Sequence, residues 1–269
     1  MWQSQKHDDT GATGHGLNKR GQRRGNARTH MPAWFARLPG SALVQQELQI
    51  MERLLPRMFG YHIVQIGSAA AQPYYTDSPI SHRMLLQVEE EGRMDGTSLQ
   101  CRTDALPILA ESMDVVILPH TLEFSATPHK LLRECERILI EEGHLIIIGF
   151  NPWSLCGLWR LFLAWRGLPP WNGHFYSHNR IKDWLSLLDL ELIRTERCFY
   201  RPPLQRTKLM RRLGFLEKLG GVCWPYFGSV HIIVARKRVV ALTPLKVRWR
   251  SDRRMLAAGV AEPSARVHE

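Results

Sequence analysis

Residues that could bind a ligand or move a proton follow four of the strands that the sequence predicts. Gly67 ends the first apolar run, Glu89 follows the second, Asp104 follows the third and His120 follows the fourth. A glycine lets backbone approach a ligand closely, a carboxylate can accept hydrogen bonds from two hydroxyls, and an imidazole exchanges protons near neutral pH. His, Cys and acidic residues do not recur at the spacing of metal ligands, so no metal site is expected.

Strands and helix-length segments alternate along the chain. The predicted strands are residues 61–66, 84–88, 98–102, 113–118, 144–148, 191–200 and 228–236, and the predicted helices are residues 42–58, 130–139 and 179–190, with Ser177 as a cap. In the first helix an apolar face includes Val44 and Met51, and Glu47 is expected to point away from it. Gly143 is expected to break the second helix before a strand begins at His144. This alternation predicts an α/β fold with a doubly wound, mostly parallel sheet and helices on both faces.

Composition separates a folded domain from two basic ends. A hydrophobic fraction of 44% suffices for one core in 269 residues. Residues 1–30 contain little to bury, which predicts a disordered basic leader. Residues 31–239 form the predicted domain, and residues 240–269 form a basic tail.

The net charge of +11 leaves open a solvated basic surface or contact with an anionic membrane. Nucleic acid is not expected as a partner, because no strand combines aromatic and basic residues as RNA-binding sheets do. Five widely spaced cysteines without a CxxC pair indicate neither a disulfide framework nor a zinc site. No secretory signal and no long apolar span is evident. A cytoplasmic protein is therefore expected, with peripheral membrane contact left open.

A series of motifs lies between Asp104 and Ile148. A strand begins Asp114-Val-Val, a helix ends Arg137-Ile-Leu, and a turn at 140–143 precedes four aliphatic residues. This order and spacing resemble the FDVV, RVL and KPGG elements of the type-11 family of class I methyltransferases. The stretch from Asp104 to Pro107 is similar to that family's D-A-x-x-L-P element. The resemblance covers residues 61–236 and implies a Rossmann-like, seven-stranded sheet with a reversed last strand.

The same resemblance implies an S-adenosylmethionine site. Its loop after the first strand keeps Gly67, but Gln65 replaces an acid, and Ala69 and Ala71 replace glycines. Glu89, with its two following glutamates as alternatives, is expected to accept from the ribose hydroxyls. The expected cofactor residues are Gln65, Gly67, Ser68, Glu89, Asp104, Ala105, Leu106, Pro119 and His120, where Asp104 would accept from the adenine amino group.

His120 is the candidate catalytic residue, with three interpretations left open. It could act as a base or contact the substrate, pack on the cofactor, or serve only the structure. A base is optional, because methyl transfer is an in-line displacement that depends on alignment.

Two segments, residues 153–176 and 201–227, are expected to form insertions on the substrate side. The first is unusually aromatic and is interpreted as a substrate lid, an interfacial helix or a buried segment. Candidate substrate-lining residues are Phe150, Asn151, Trp153, Trp159 and Tyr176. The resemblance implies a small apolar or aromatic acceptor, since related enzymes that methylate quinones or sterols use this region. The alternative function is an inactive binding or scaffold protein with the same fold, because the glycine loop is degenerate.

Overall fold

A seven-stranded sheet forms the centre of the protein. The computed structural model describes residues 31–67, 73–88, 99–101, 103–163, 170–204 and 207–238. The strands are β1 His62–Ile66, β2 His82–Val88, β3 Leu99–Cys101, β4 Met113–Pro119, β5 Leu139–Phe150, β6 Leu190–Cys198 and β7 Val230–Lys237. The predicted leader and tail lie outside the described residues.

The strand order, β3-β2-β1-β4-β5-β7-β6, confirms the predicted Rossmann-like topology. The first five strands run parallel, and β7 is antiparallel to both β5 and β6, which is the reversed last strand that was expected. The chain moves outward from β1 to β3 and then returns beside β1 as β4. Ligands of such sheets bind beyond the carboxyl ends of the strands at this reversal.

Helices cover both faces of the sheet, as predicted. Residues 31–35 are helical. The helices that follow are α1 Gly40–Leu54, α2 Pro128–Ile138, α3 Leu155–Leu163, α4 His178–Ser186, α5 Thr207–Arg212 and α6 Phe215–Cys223. Ser177 caps α4, because its side chain accepts a hydrogen bond from the backbone N–H of Arg180. No helix among the described residues is long and apolar enough to span a membrane.

Strand β4 is apolar throughout because both of its faces are buried. Val115 and Ile117 pack in the core that includes α1, whereas Val116 and Leu118 pack in the core that includes α2 and α4. Alternate residues of a strand point to opposite faces, so one short strand contributes to both cores.

The crossovers around β2 and β3 contain no helix among residues 73–81 and 103–112. Arg137 of α2 instead holds the second of these segments by donating to the carbonyls of Leu106 and Ile108 at 3.1 and 3.0 Å. Glu134 accepts from the backbone N–H of Leu106 at 3.0 Å. A fixed loop therefore takes the place of a helical connection before β4.

The structure corrects the predicted start of β5. Helix α2 ends at Ile138 and the strand begins at once, with Leu139 opposite Met113. The register then shifts, so that His144 lies opposite Val115, and Glu142 adopts a φ of 63° in the intervening turn. The pattern around Gly143 thus marks an irregularity within β5 and not the boundary of the strand.

Asp114 fixes the start of β1 against β4. Its Oδ2 accepts hydrogen bonds from the backbone N–H groups of Tyr61 and His62 at 2.9 and 2.8 Å. These donors precede the central parallel pairing of β1 with β4. One carboxylate therefore sets the entry of the chain into the sheet.

We expect Asp114→Ala to lower the free energy of unfolding by about 2 kcal/mol, because two backbone donors lose a charged acceptor. Urea denaturation of the full chain measures this change. Asp114→Asn keeps an acceptor oxygen and should recover part of the loss, and Glu52→Ala on an exposed position of α1 serves as the control. Equal stabilities for Asp114→Ala and Glu52→Ala would contradict this role.

Candidate active site

The turn after β1 is one wall of the predicted cofactor site. Gly67 has a φ of 87°, and a Cβ at this position would lie 2.6 Å from Oγ1 of Thr121. Thr121 in turn donates from Oγ1 to the carbonyl of Ile66 at 2.7 Å. Glycine is required here both by the positive φ and by close packing between the turns after β1 and β4.

Gln65 is hydrogen-bonded at both ends of its side-chain amide. The residue is buried, its Nε2 donates to the carbonyl of Gly67 at 3.0 Å, and its Oε1 accepts from the backbone N–H of Tyr74 at 2.8 Å. The two ends of the amide thus join Gly67 and Tyr74, on either side of residues 68–72. The role of Gln65 in binding the cofactor stays a prediction.

A buried polar cluster lies behind the carboxyl ends of β4 and β5. His120 places Nε2 at 2.9 Å from Oε1 of Glu47 and Nδ1 at 3.3 Å from Oε1 of Glu123. Tyr74 donates its hydroxyl to the second oxygen of Glu47 at 2.6 Å. Oε1 of Glu123 also accepts from the backbone N–H of Phe150 at 2.7 Å. The cluster therefore connects α1, the segment after β1 and the ends of two strands.

The imidazole of His120 is enclosed and charged. Its ring lies between Phe35 and Phe150, with centroid distances of 5.2 and 4.4 Å. Burial alone would lower the pKa of His120, but the carboxylates of Glu47 and Glu123 raise it to about 9. A protonated imidazole has no lone pair for a substrate proton. The geometry therefore does not fit a general base, and among the three interpretations it favours a structural histidine.

Glu47 was missed as a site residue, and its predicted direction is wrong. Its side chain is fully buried, although it was expected to point away from the apolar face of its helix. It lies one turn from Leu43 and one turn from Ile50, both of which are buried. Position 47 therefore belongs to the buried stripe, and His120 supplies the opposite charge from another part of the chain.

Gly149 separates the carboxylate of Glu123 from His231. A Cβ at position 149 would lie 3.1 Å from Oε1 of Glu123 and 3.2 Å from Nε2 of His231. Among the described residues, neither ring nitrogen of His231 nor Oε2 of Glu123 has a hydrogen-bond partner. Burial, followed by nearby positive charge, lowers the pKa of His231 to about 3. His231 is therefore neutral, and His120 provides the positive charge of the cluster.

The remaining cofactor residues are described only in part. Asp104 is half-buried in the turn after β3, Ala105 is exposed, and Leu106 is buried against α2. Pro119 is buried at the end of β4. Ser68 and the three glutamates 89–91 lie outside the described residues.

An apolar cavity of about 740 Å³ opens where β5 and β6 end. Trp153 and Leu158 form one wall, on and just before α3, and Leu216 and Trp224 form the other, on and just after α6. We name it the α3–α6 cavity. Arg160 is the one charged residue among those that line it, and its guanidinium lies 5.1 Å from the ring of Phe175. The two predicted insertions, residues 153–176 and 201–227, thus meet around one cavity.

The inner wall of this cavity leads towards the end of β4. Phe175 lines the cavity and stacks on Phe150 with a centroid distance of 4.9 Å. Phe150 packs in turn on His120. Two aromatic rings therefore separate the cavity from the buried cluster.

The predicted substrate-lining residues do not all face the cavity. Trp153 lines the cavity, whereas Trp159 stands on α3 but is not among the lining residues. Phe150 lies behind the lining residue Phe175. Asn151 holds the segment before β7 by donating to the carbonyls of Tyr226 and Gly228. Tyr176 packs against Trp184 in the opposite core. The aromatic segment is thus partly lining and partly structural.

Residues 61–147 match the sequence model of a family described as "Methyltransferase domain". A protein of Escherichia coli (strain K12), described as uncharacterized protein YafS, is 33% identical over 235 residues. That alignment covers 85% of this chain and 91% of the other protein. The two chains therefore belong to one family along most of their length.

Two solved structures show the same fold. A SAM-dependent methyltransferase from Thermotoga maritima, described as a possible histamine N-methyltransferase, superposes with a TM-score of 0.53 and 20% identity, covering 71% of this chain and 87% of that chain. A candidate methyltransferase in complex with the Haloferax volcanii Trm112 methyltransferase activator superposes with a TM-score of 0.51 and 14% identity, covering 79% and 98%. At these identities the likeness concerns the fold alone.

We expect the free energy of unfolding to fall by about 2 kcal/mol between about pH 7 and pH 8.5. The folded pKa of His120, about 9, lies above its ordinary value of 6.5. In this window the folded state binds a proton that the unfolded state has released, so stability decreases as pH rises. Chemical denaturation at each pH measures the slope.

The control is His120→Gln, which cannot carry the charge. It should be less stable at pH 7 and lose less stability with rising pH. Parallel pH profiles for the wild type and His120→Gln would show that the imidazole is not charged in the fold.

Proposed function

We propose that this chain, which belongs to the class I S-adenosylmethionine-dependent methyltransferases, transfers a methyl group to a small apolar or aromatic acceptor bound in the α3–α6 cavity. The observation that carries the proposal is the position of that cavity. It opens at the carboxyl edge of the sheet, the edge on which ligands of this fold bind. Its lining is almost wholly apolar, and its volume suits a small organic molecule.

The cofactor side is supported by the residues that follow β1 and β3. Gly67 gives the turn after β1 a positive φ, and Asp104 carries a half-buried carboxylate after β3. Ala105 is exposed beside it, which leaves room for a planar ring. These residues fit the cofactor: Gly67 would form the turn beside it, and Asp104 would accept a hydrogen bond from its adenine amino group. Gln65 would act through the loop that it holds.

S-adenosylmethionine supplies, when bound, a methyl group on a positively charged sulfur. In the transfer, a lone pair of the acceptor forms a bond to the methyl carbon while the carbon–sulfur bond breaks and its electron pair stays on sulfur. Any proton on the acceptor atom then leaves to water. Alignment of the two reactants dominates such a displacement, so the paired and buried His120 need not take part.

The acceptor side supplies shape and exclusion of water. Trp153, Leu158 and Phe175 offer apolar surface to the acceptor, and Arg160 places one cation on the same wall. The ring of Phe175 is held by Phe150, which β5 positions. An acceptor with an aromatic or aliphatic body fits this lining better than a highly charged one.

We expect the wild-type chain to transfer label from methyl-labelled S-adenosylmethionine into the small organic molecules of a cell extract. Leu158→Trp, which fills the mouth of the α3–α6 cavity, should lower this transfer about tenfold or more, as loss of acceptor binding would. Asp104→Ala should lower transfer at limiting S-adenosylmethionine and recover at high concentration, because it weakens cofactor binding. Extraction of the products into lipid, nucleic acid and protein fractions identifies the acceptor class.

The matched control is Leu187→Trp, which adds the same ring at an exposed position after α4. It should leave transfer unchanged. Label confined to nucleic acid or protein would overturn the proposed acceptor, and absence of transfer with intact folding would favour the inactive scaffold.

A further inference from the structure

Exposed apolar side chains are concentrated around the mouth of the α3–α6 cavity. Thirteen of the eighteen large hydrophobic residues that are exposed in the described part of the chain belong to residues 153–162 and 209–227. We name this group the apolar rim. Its most exposed members on the α3 side are Trp153, Leu161 and Phe162, and on the α6 side Val222 and Tyr226. Apolar patches of this kind on a folded protein mark interaction sites.

The charge of the same segments identifies the kind of partner. Residues 153–176 and 201–227 contain eight Lys and Arg but a single acidic residue, Glu217. That acid pairs with Arg201 at 2.9 Å. Lys208 and Arg212 are exposed beside the α6 side of the rim. The described surface therefore combines exposed hydrophobic groups with the exposed cations Lys208 and Arg212, which complements a surface that is apolar within and anionic outside.

The residue types on the rim are those that suit the boundary between lipid and water. Trp153, Trp224 and Tyr226 each join a large apolar ring to one polar group, a combination enriched at membrane interfaces. Most of the rim lies on and beside α3 and α6, each of which is described over nine residues. A nucleic acid presents a charged and polar face that would leave the aliphatic residues of the rim in water.

We propose that the apolar rim docks on the surface of an anionic lipid bilayer. Leucine, phenylalanine and tryptophan side chains enter the headgroup boundary, and Lys208 and Arg212 of α5 contact anionic headgroups. Docking turns the open mouth of the α3–α6 cavity towards the lipid. The consequence that an apolar acceptor enters from the bilayer rests on the proposed function, whereas docking itself does not.

Vesicle sedimentation of the full chain tests the proposal. We expect binding to phosphatidylcholine vesicles that contain phosphatidylglycerol, weaker binding to phosphatidylcholine alone, and a decrease with added salt. The double variant Leu161→Glu/Val222→Glu should bind the anionic vesicles about tenfold or more weakly, because it replaces two inserted apolar groups with charges that the headgroups repel. Both positions are highly exposed, at 73% and 82%, so the fold should tolerate the changes.

The matched control is Leu109→Glu/Leu187→Glu, which makes the same chemical change at two exposed leucines on the amino side of the sheet. It should bind vesicles like the wild type. Quenching of tryptophan fluorescence by lipids with brominated acyl chains distinguishes insertion of the rim from adhesion of the basic ends, and it should be lost in the rim variant alone.

Three results would overturn the proposal. Equal binding by the rim and control variants would assign membrane contact to other basic residues. Absence of vesicle binding would exclude docking on a bilayer. Concentration-dependent self-association that the rim substitutions abolish would also exclude it, because the rim would then contact a second copy of the chain. Vesicle binding without methyl transfer would leave docking intact while contradicting the proposed function.

Discussion

The ion pair between Glu47 and His120 determines how the carboxyl edge of the sheet is assembled. Transfer of these charges from water into the core costs free energy, which close opposite charges and hydrogen bonds must offset. Tyr74 and Glu123 complete the set of partners, so that groups from α1, the loop after β1 and the end of β4 must come together. The backbone of Phe150 joins the same network, which places the aromatic wall of the α3–α6 cavity. The buried ion pair between Glu47 and His120 thus favours one specific arrangement of this edge.

In the proposed function, this edge is divided between two tasks. Beside β1 and β3, the turn at Gly67 and the carboxylate of Asp104 offer backbone and polar groups suited to a nucleoside-bearing cofactor. Beyond β5 and β6, the segments around α3 and α6 offer an apolar cavity whose mouth is surrounded by exposed hydrophobic groups. The buried cluster lies behind this edge, at the ends of β4 and β5, and supports it from within the core. Reactants that differ greatly in polarity can therefore approach the same edge from different directions.

The fold was predictable from the chain to within a few residues, whereas the centre of the site was not. Strands such as β4 are evident from continuous apolar runs, and Ser177 signals the start of α4, because both features are local. Glu47 gives no such signal, since its partner His120 is 73 positions away and only the fold brings them together. The hydrogen bond between Gln65 and the backbone of Tyr74 has no local signal either, since the two residues lie nine positions apart. The aromatic content of residues 153–176 indicated a substrate-side segment, but no local pattern indicated that residues 201–227 would meet it around one cavity.

The central claim is that the degenerate glycine loop at Gly67 still forms a cofactor site. Titration calorimetry of the full chain with S-adenosylhomocysteine tests it most directly. One Gly at position 67, supported from behind by Gln65, should suffice for the turn that the cofactor needs. We expect stoichiometric binding with a dissociation constant in the micromolar range, which corresponds to a binding free energy on the order of −8 kcal/mol. Absence of binding by the folded protein at millimolar ligand would contradict the account and leave the fold as a scaffold.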